Sequence, residues 1–355
     1  MKPNMWPRIQ IIVLTLALII CTGGIAKAEE NAVQRYTYVQ DGEISKQVHL
    51  PTSEWLPNKL PPDAMVLAIH GLTLHGKRYE ILSRTFAAEN ALGSVYVVAP
   101  DMRGFGRNRN DEHNFCEGTD CKKKVDYYKS VDDMCKIAKI MRAKFPGTRL
   151  YLMGESLGAT VCLAVAAKRP ELVDGLVLSG VAESVNPMMF NQPKIIASGL
   201  FAFFIDPKFN MRLGVFMKQL VSNDPEICKE MMEDPLVPKK LTLTELIKTD
   251  RFIDKTNKFA RQVKVDLPVL ILQGSEDKCV VPHAVASLAQ HIHSSDQTMK
   301  WLYAHGHLLL ETEYIRPATI DAITDWFDAQ TAAHKVILRT MQDDLHALGG
   351  KTSNQ

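Results

Sequence analysis

The feature that most constrains the fold is a series of short apolar runs, most of which are followed by a segment with a helical pattern. Six such runs stand in order along the chain: AMVLAIHG (64–71), SVYVVAP (94–100), RLYLMG (149–154), GLVLSG (175–180), LPVLILQG (267–274) and TMKWLYA (298–304). Runs without polar–apolar alternation are typical of strands buried on both faces of a parallel sheet. The sequence therefore predicts an α/β fold with a mostly parallel central sheet and helices on both faces.

Two segments depart from this pattern. Residues around Asp41-Gly42 alternate polar and apolar side chains, which predicts an antiparallel hairpin. Residues 181–266 lack a buried parallel strand but hold several helical patterns, six of the fifteen methionines and the apolar stretch IIASGLFAFFI (195–205). We interpret this segment as an inserted helical cap, because linkers are polar or rich in Gly, Pro and Ser.

The N-terminus has the pattern of an export signal. The chain begins with a positively charged segment that holds Lys2 and Arg8, and an apolar run follows at residues 11–20. Residues 26–28 then match the small-x-small pattern of a cleavage site. The apolar run is shorter than the roughly 20 residues that a membrane-spanning helix needs. Cleavage after Ala28 and a periplasmic or secreted protein are predicted, with an uncleaved inner-membrane anchor as the alternative.

These patterns together predict five segments. They are a signal peptide (1–28), the first part of the core (29–180), the helical cap (181–266), the second part of the core (267–340) and a C-terminal tail (341–355). The formal net charge is only +2, and no basic stripe stands out, so nucleic-acid binding is not expected.

The cysteines fit an oxidising compartment. Beyond Cys21, an even number of six remains. Cys116 and Cys121 flank a short polar stretch and could close a small loop. Cys135 and Cys162 occupy apolar positions of predicted helices, where buried free thiols are expected.

The chemistry centres on GESLG (154–158), which matches the G-x-S-x-G nucleophile elbow between a strand and a helix. As an alternative, Ser156 could be no more than a helix cap. In this architecture the nucleophile is followed along the chain by an acid and then a histidine, each near the carboxyl end of a strand. Asp277 follows one predicted strand, and His305 and His307 follow the last.

Four further motifs stand in order with GESLG: HGLTLHGKRY (70–79), DMRGFGRN (101–108), GSEDKCVVP (274–282) and GHLLLETE (306–313). Together they resemble the monoacylglycerol lipase / lysophospholipase branch of the α/β-hydrolase superfamily, which includes serine aminopeptidase-type hydrolases. The cap stretch SNDPEICKEMMEDPLV (222–237) resembles that branch too. The similarity extends over about residues 64–327, cap included.

The resemblance implies a role for particular residues. Ser156 would be the nucleophile, Asp277 the acid and His307 the base. The backbone N–H groups of Leu72 and Leu157 would bind the substrate's oxyanion. Such a mechanism requires no metal and no cofactor.

Alternatives remain open for some of these positions. Glu276 or Glu183 could serve as the acid instead, and His70 is interpreted as scaffold. His305 and His307 could both point to a metal ion, but no third ligand lies close in sequence, so His305 is expected to have no catalytic role.

Some positions differ from the pattern of the branch. Thr73 and Leu74 replace small and acidic residues, Phe105 stands where His is frequent, and Glu155 replaces a frequent His before the nucleophile. These differences leave the substrate's acyl and alcohol parts open. Arg103 is expected to anchor a loop by pairing with a carboxylate.

The predicted function is a serine carboxylester hydrolase that forms an acyl-enzyme, with a monoacyl lipid such as a monoacylglycerol or lysophospholipid as substrate. The apolar, methionine-rich cap suits flexible acyl chains and transient contact with a membrane surface, unless 195–205 is simply the core of the cap. The alternative is an aminopeptidase, which would need cap carboxylates aimed inward; the candidates are Glu226, Glu230, Glu233 and Asp234. A non-catalytic binding protein is the third hypothesis.

Overall fold

The computed structural model describes residues 35–88, 94–109, 116–117, 120–181, 210–214, 217, 221–280 and 282–331. Its strands are β1 Tyr36–Gln40, β2 Thr52–Pro57, β3 Ala64–Ile69, β4 Val95–Pro100, β5 Cys116–Glu117, β6 Asp120–Cys121, β7 Arg149–Glu155, β8 Gly175–Ser179, β9 Asn210–Arg212, β10 Lys240–Thr242, β11 Val269–Gly274 and β12 Gln297–Leu302.

The helices are α1 Glu43–Val48, α2 Glu80–Ala87, α3 Tyr127–Lys144, α4 Leu157–Lys168, α5 Pro225–Glu233, α6 Leu243–Ile253, α7 Thr256–Ala260, α8 Pro282–His291 and α9, which is described over 317–331. In the described part of the chain, no helix is long and apolar enough to cross a membrane.

Eight strands form one sheet in the order β1-β2-β4-β3-β7-β8-β11-β12. All neighbours from β4 to β12 pair in parallel, whereas β1 and β2 are antiparallel at one edge. The predicted α/β fold with a mostly parallel sheet is confirmed.

Both faces of this sheet are covered, as the uninterrupted apolar runs predicted. Along β3, Met65 and Leu67 belong to one buried cluster, and Val66 and Ala68 belong to the other. Successive side chains of a strand point to opposite faces. A strand that is apolar at every position therefore stabilises two core layers at once.

The hairpin predicted at Asp41-Gly42 is wrong in its connection. Strands β1 and β2 do pair antiparallel, but helix α1 lies between them. Ile44 and Val48 are buried on one side of α1, four residues apart, which is a helical spacing rather than the spacing of a strand. The alternating pattern was too short to distinguish the two periods.

The predicted cap segment contributes helices α5, α6 and α7, and also a short antiparallel ribbon of β9 and β10 that its helical patterns did not indicate. The apolar stretch 195–205 lies outside the described residues. So do the predicted signal at 1–28 and the tail at 341–355.

The cysteines behave largely as expected. Cys135 and Cys162 are free and buried, which confirms the prediction for both. Cys121 is disulfide-bonded, and Cys116 lies directly opposite it in the two-stranded ladder of β5 and β6.

Candidate active site

Ser156 occupies the sharp turn between β7 and α4. Its backbone angles are φ 56° and ψ −119°, a combination that residues with a side chain rarely adopt. The Ser156 N–H donates to the Ser179 carbonyl at 2.8 Å, which ties the turn to β8. The side chain is partly exposed, as a nucleophile requires.

The two glycines of GESLG allow strand and helix to approach closely. A Cβ atom at Gly158 would lie 2.0 Å from the Ile69 carbonyl oxygen, and one at Gly154 would lie 2.5 Å from the Gly158 carbonyl. Neither distance is compatible with a side chain. The close packing of α4 on β3 and β7 therefore explains both glycines.

His307 and Asp277 come together at the carboxyl end of the sheet. The His307 Nδ1 lies 2.8 Å from an Asp277 carboxylate oxygen. Asp277 also accepts hydrogen bonds from the Gln273 side chain and from the backbone N–H groups of Cys279 and Val280. These donors fix the carboxylate so that it can hold the imidazole in one orientation.

The two groups shift each other's protonation. Burial raises the pKa of Asp277, but the charge and the hydrogen bond of His307 outweigh it, and the pKa lies below its ordinary value. Burial lowers the pKa of His307, but the negative charges of Asp277 and Glu155 outweigh it, and this pKa lies above its ordinary value. The arrangement favours an ionised acid beside a histidine that can accept a proton.

Gly180 lies directly beside the imidazole ring of His307. It has a φ of +48°, and a Cβ atom there would lie 3.1 Å from the His307 ring. The residue after β8 therefore needs a left-handed backbone conformation and little or no side chain, which leaves room for the His307 ring beside Asp277.

One cavity brings the candidate residues together. Ser156, His307, Leu72 and Leu157 all line it. Its other described walls are largely apolar and come from both core and cap: Leu74, Leu213, Met217, Val221, Met231, Ile253, Val280 and Leu308. Leu157 is the first residue of α4, so its N–H has no acceptor within the helix and is available to a ligand.

The structure separates His305 from this cavity. Its Nδ1 lies 2.8 Å from the Tyr303 carbonyl oxygen, and His305 lines a different, smaller cavity. Among the described residues, no group of three or more His, Cys, Asp or Glu could hold a metal ion.

Of the two alternative acids, Glu276 is described by the structure and is not bonded to His307. Glu276 is exposed and accepts a hydrogen bond from the Asn223 side chain. Glu183 lies outside the described residues.

Two neighbouring side chains hold loops beside the site. Burial lowers the pKa of His70 to about 4, and its Nε2 accepts the Met102 N–H at 2.8 Å, as expected of a neutral scaffold residue. Arg103 pairs with Asp133 at 2.6 Å and with Asp120. Its expected pairing with a carboxylate is thus confirmed.

Two glutamates to which the sequence analysis gave no role, Glu155 and Glu311, are buried behind the site. Glu155 accepts backbone N–H groups from the segment that follows His307, and Glu311 accepts the Gly71 N–H. A signal was present, because Glu155 stands among small and apolar residues in GESLG, and Glu311 directly follows three leucines. An isolated charge of that kind is buried only when it has partners.

The site can be compared with known families. The family model Hydrolase_4, described as serine aminopeptidase S33, matches residues 60–313, more than two thirds of the chain. The chain belongs to the serine aminopeptidase S33 family. This S33 protein is therefore a serine hydrolase on an α/β-hydrolase fold.

Relatives of this S33 hydrolase carry lipase names. It is 26% identical over 269 residues to a monoglyceride lipase homolog of Monkeypox virus, covering 75% of this chain and 89% of that protein. It is 25% identical over 284 residues to monoglyceride lipase of Mus musculus, covering 79% of this chain and 86% of that protein.

A solved structure supports the same fold. A soluble variant of monoglyceride lipase from Saccharomyces cerevisiae, in complex with a substrate analog, superimposes with a TM-score of 0.63. The sequences are 21% identical, and the match covers 84% of this chain and 95% of that one.

Proposed function

We propose that this S33 hydrolase cleaves the carboxylic ester of monoacyl lipids, with monoacylglycerol as the leading candidate. The observation that carries the proposal is the apolar cavity in which Ser156 and His307 lie. Apolar walls with few polar groups suit an acyl chain. The monoglyceride lipase names of the relatives support the same substrate class.

The proposed chemistry follows from the geometry. His307 takes the Ser156 proton as the hydroxyl oxygen attacks the ester carbonyl, and Asp277 stabilises the imidazolium that forms. The N–H groups of Leu72 and Leu157 stabilise the oxyanion, at about 3 kcal/mol for one such donor. His307 then gives its proton to the leaving alcohol, and water that it activates releases the fatty acid.

The position of the cap carboxylates argues against an aminopeptidase. Such an enzyme needs a negative group in the substrate cavity to bind the α-amino group. Glu226, Glu230, Glu233 and Asp234 line a separate cleft with Arg78. Among the described lining residues of the Ser156 cavity, Glu311 is the one carboxylate, and it is already bonded to the Gly71 N–H.

A substrate panel tests the proposal. We expect hydrolysis of p-nitrophenyl esters to improve from acetate to medium-chain acyl groups, and monoacylglycerols to release fatty acid. Amino-acyl naphthylamides should not be cleaved. Highest activity on acetate with none on longer chains would contradict the lipid proposal, and cleavage of the naphthylamides alone would favour the aminopeptidase.

Covalent labelling tests the alternative of a non-catalytic binding protein. A fluorophosphonate probe should label the wild-type protein and fail to label Ser156→Ala. Absence of labelling in a folded wild-type protein would favour the binding protein.

A further inference from the structure

Glu155, the residue before the nucleophile, is completely buried and surrounded by hydrogen-bond donors. It accepts from the Ser179 hydroxyl at 2.7 Å and from the backbone N–H groups of Leu309 at 2.8 Å, Leu310 at 3.2 Å and Glu311 at 3.2 Å. The mechanism derived above does not use this carboxylate. Its burial therefore calls for another role.

The contacts of Glu155 join three parts of the active site. Its backbone ends β7 directly before Ser156, Ser179 ends β8, and residues 309–311 follow His307. One carboxylate thus connects the nucleophile elbow to the segment that carries the base. A change in the length or charge of the Glu155 side chain would therefore affect both the nucleophile elbow and the segment that follows His307.

A second buried carboxylate lies beside it. Glu311 accepts one backbone N–H, that of Gly71, at 2.9 Å, in the turn that precedes Leu72. Burial, and then the charge of Glu155, raise the pKa of Glu311 well above its ordinary value. Two neighbouring buried carboxyl groups cannot both ionise without a large electrostatic cost.

Hydrogen bonding decides which of the two carries the charge. Glu155 has four donors, and three of them are backbone N–H groups that cannot act as acceptors. Glu311 has a single such donor among the described residues. Burial raises the pKa of Glu155 as well, but the charge of His307 and these donors oppose that shift, whereas the pKa of Glu311 lies well above its ordinary value. Donors stabilise the ionised form, so of the pair Glu155 is the ionised carboxylate and Glu311 the protonated one.

The other titratable and charged groups near the pair are His307, Asp277, Tyr79 and Arg78. The charges of Asp277 and Glu155 both act on His307, whereas Arg78 acts on Glu311 and Tyr79 faces both glutamates. His307 is therefore the group on which a change at Glu155 should be detected.

We propose that Glu155 is a positioning residue for the reaction of Ser156: its ionised carboxylate fixes the backbone after His307 and stabilises the imidazolium, while protonated Glu311 fixes the turn at Gly71. This inference rests on the proposed function, because it assigns His307 as the base. It adds a second negative charge, besides Asp277, that supports the base.

Three variants separate charge from shape. Glu155→Gln keeps the shape and removes the charge, Glu155→Asp keeps the charge and shortens the reach, and Glu311→Gln is the matched control at the neutral partner. The measurements are kcat/KM for a p-nitrophenyl ester and the rate of fluorophosphonate labelling, both from pH 5 to 9. Infrared spectroscopy reports buried protonated carboxyl groups.

The sign of the expected effect follows from the role of His307, which must be neutral to accept the serine proton. Removing a nearby negative charge lowers the pKa of the imidazole. Plotted against pH, kcat/KM and the labelling rate both fall on the acid side as His307 becomes protonated; we call this fall the acid limb. In E155Q the acid limb of both profiles should move to lower pH by about one pH unit, a tenfold change in proton concentration. E155D should lose activity at least tenfold with its acid limb in place.

The control should behave differently. E311Q should keep the wild-type acid limb, whatever its effect on kcat, and should lose an infrared band of a protonated carboxyl group. An unmoved acid limb in E155Q would overturn the proposal, and so would an equal shift in E311Q. Should E155Q not fold, an E311Q protein that retains the infrared band would overturn it as well.

The labelling rates separate this inference from the proposed substrate. The probe reports on Ser156 and His307 alone, without an acyl chain. If no lipid ester is hydrolysed but the labelling profiles shift as described, the proposed function fails and the role of Glu155 stands.

Discussion

Ser156, the candidate nucleophile, adopts an unfavourable backbone conformation. A residue with a side chain at φ 56° and ψ −119° stores about 1–3 kcal/mol of strain, and glycine adopts the same angles freely. The surrounding β7, α4 and β8 impose this conformation through the Ser156 N–H bond to Ser179 and the close approach at Gly158.

This strain yields a prediction for two inactive variants. Ser156→Gly and Ser156→Ala should both lose labelling and turnover, because each removes the hydroxyl group. Ser156→Gly should be more stable than Ser156→Ala by about 1 kcal/mol or more, as measured by urea unfolding. Equal stabilities would show that the turn is not strained.

The two histidines of the last loop should differ sharply. His307→Ala should lower kcat by at least about a thousandfold, because the serine then has no base and Asp277 no imidazole to orient. His305→Ala should keep most of the activity, since His305 bonds the Tyr303 carbonyl and faces another cavity. Steady-state rates of both, with circular dichroism as a folding check, decide the point. The reverse result would mean that the assignment of this loop is off by two residues.

At the scale of secondary-structure elements, the packing of α4 against β3 sets the geometry of the elbow. Gly158→Ala would place a Cβ atom 2.0 Å from the Ile69 carbonyl oxygen, so helix and strand must separate. We expect a loss of about 3 kcal/mol or more in the free energy of unfolding, measured in urea.

The matched control is Gly147→Ala. Gly147 has a φ of +84° but open space around it, so this variant should lose only about 1 kcal/mol, the backbone cost. Similar losses in both variants would refute the close-packing explanation.

Helix α5 of the cap and the residue that follows it are held on the core by a largely buried Arg78–Glu230 ion pair and by hydrogen bonds. Glu230 accepts from Arg78 at 2.7 Å and from the Thr312 hydroxyl at 2.8 Å, and His75 lies 2.9 Å from Asp234. Since Met231 of the same helix lines the Ser156 cavity, these pairs also help to place a wall of the substrate site.

Removing one partner of these pairs should therefore be costly. We expect Glu230→Ala to lower the free energy of unfolding by about 2–3 kcal/mol, because Asp234, at 3.7 Å, is then the one ion-pair partner left to the buried Arg78 among the described residues. Glu233→Ala, an exposed carboxylate on the same helix, should change it by no more than about 0.5 kcal/mol. Thermal and urea unfolding of both variants would test this, and similar effects would show that the pair does not hold the cap.

At the scale of the whole molecule, the site is assembled from distant parts of the chain. Leu72 follows β3, Ser156 follows β7, Asp277 follows β11 and His307 follows β12. Parallel strands deliver all their carboxyl ends to one edge of the sheet, so four separate loops meet there. Residues of the cap segment, such as Met231, cover this edge.

We further propose that residues 1–28 direct export. A fusion of residues 1–40 to alkaline phosphatase, which is active only after export, should be active in a bacterial host. N-terminal sequencing of the full-length protein should find Glu29 as the first residue. An intact N-terminus in the membrane fraction would favour the anchored alternative, and an inactive fusion would contradict export.

The sequence alone determined the fold class and the identity of the candidate residues, because both follow from local patterns. Uninterrupted apolar runs predict a sheet covered on both faces, and GESLG between a strand and a helix predicts the elbow. The order of nucleophile, acid and histidine came from the architecture, and the choice of Asp277 over Glu276 and of His307 over His305 came from the resemblance to a family. None of these inferences needed a distance.

Only the tertiary structure decided which groups meet. The meeting of Asp277 with His307, the placement of the cap carboxylates beside Arg78 rather than Ser156, and the partners of Glu155 all join residues far apart in sequence. The connection after Asp41 depended on it as well, since a short polar–apolar pattern fits a strand and a helix alike. The spacing of apolar residues along a segment shows which face of that helix or strand is buried. Contacts across the sheet depend instead on the register and packing of all the elements together.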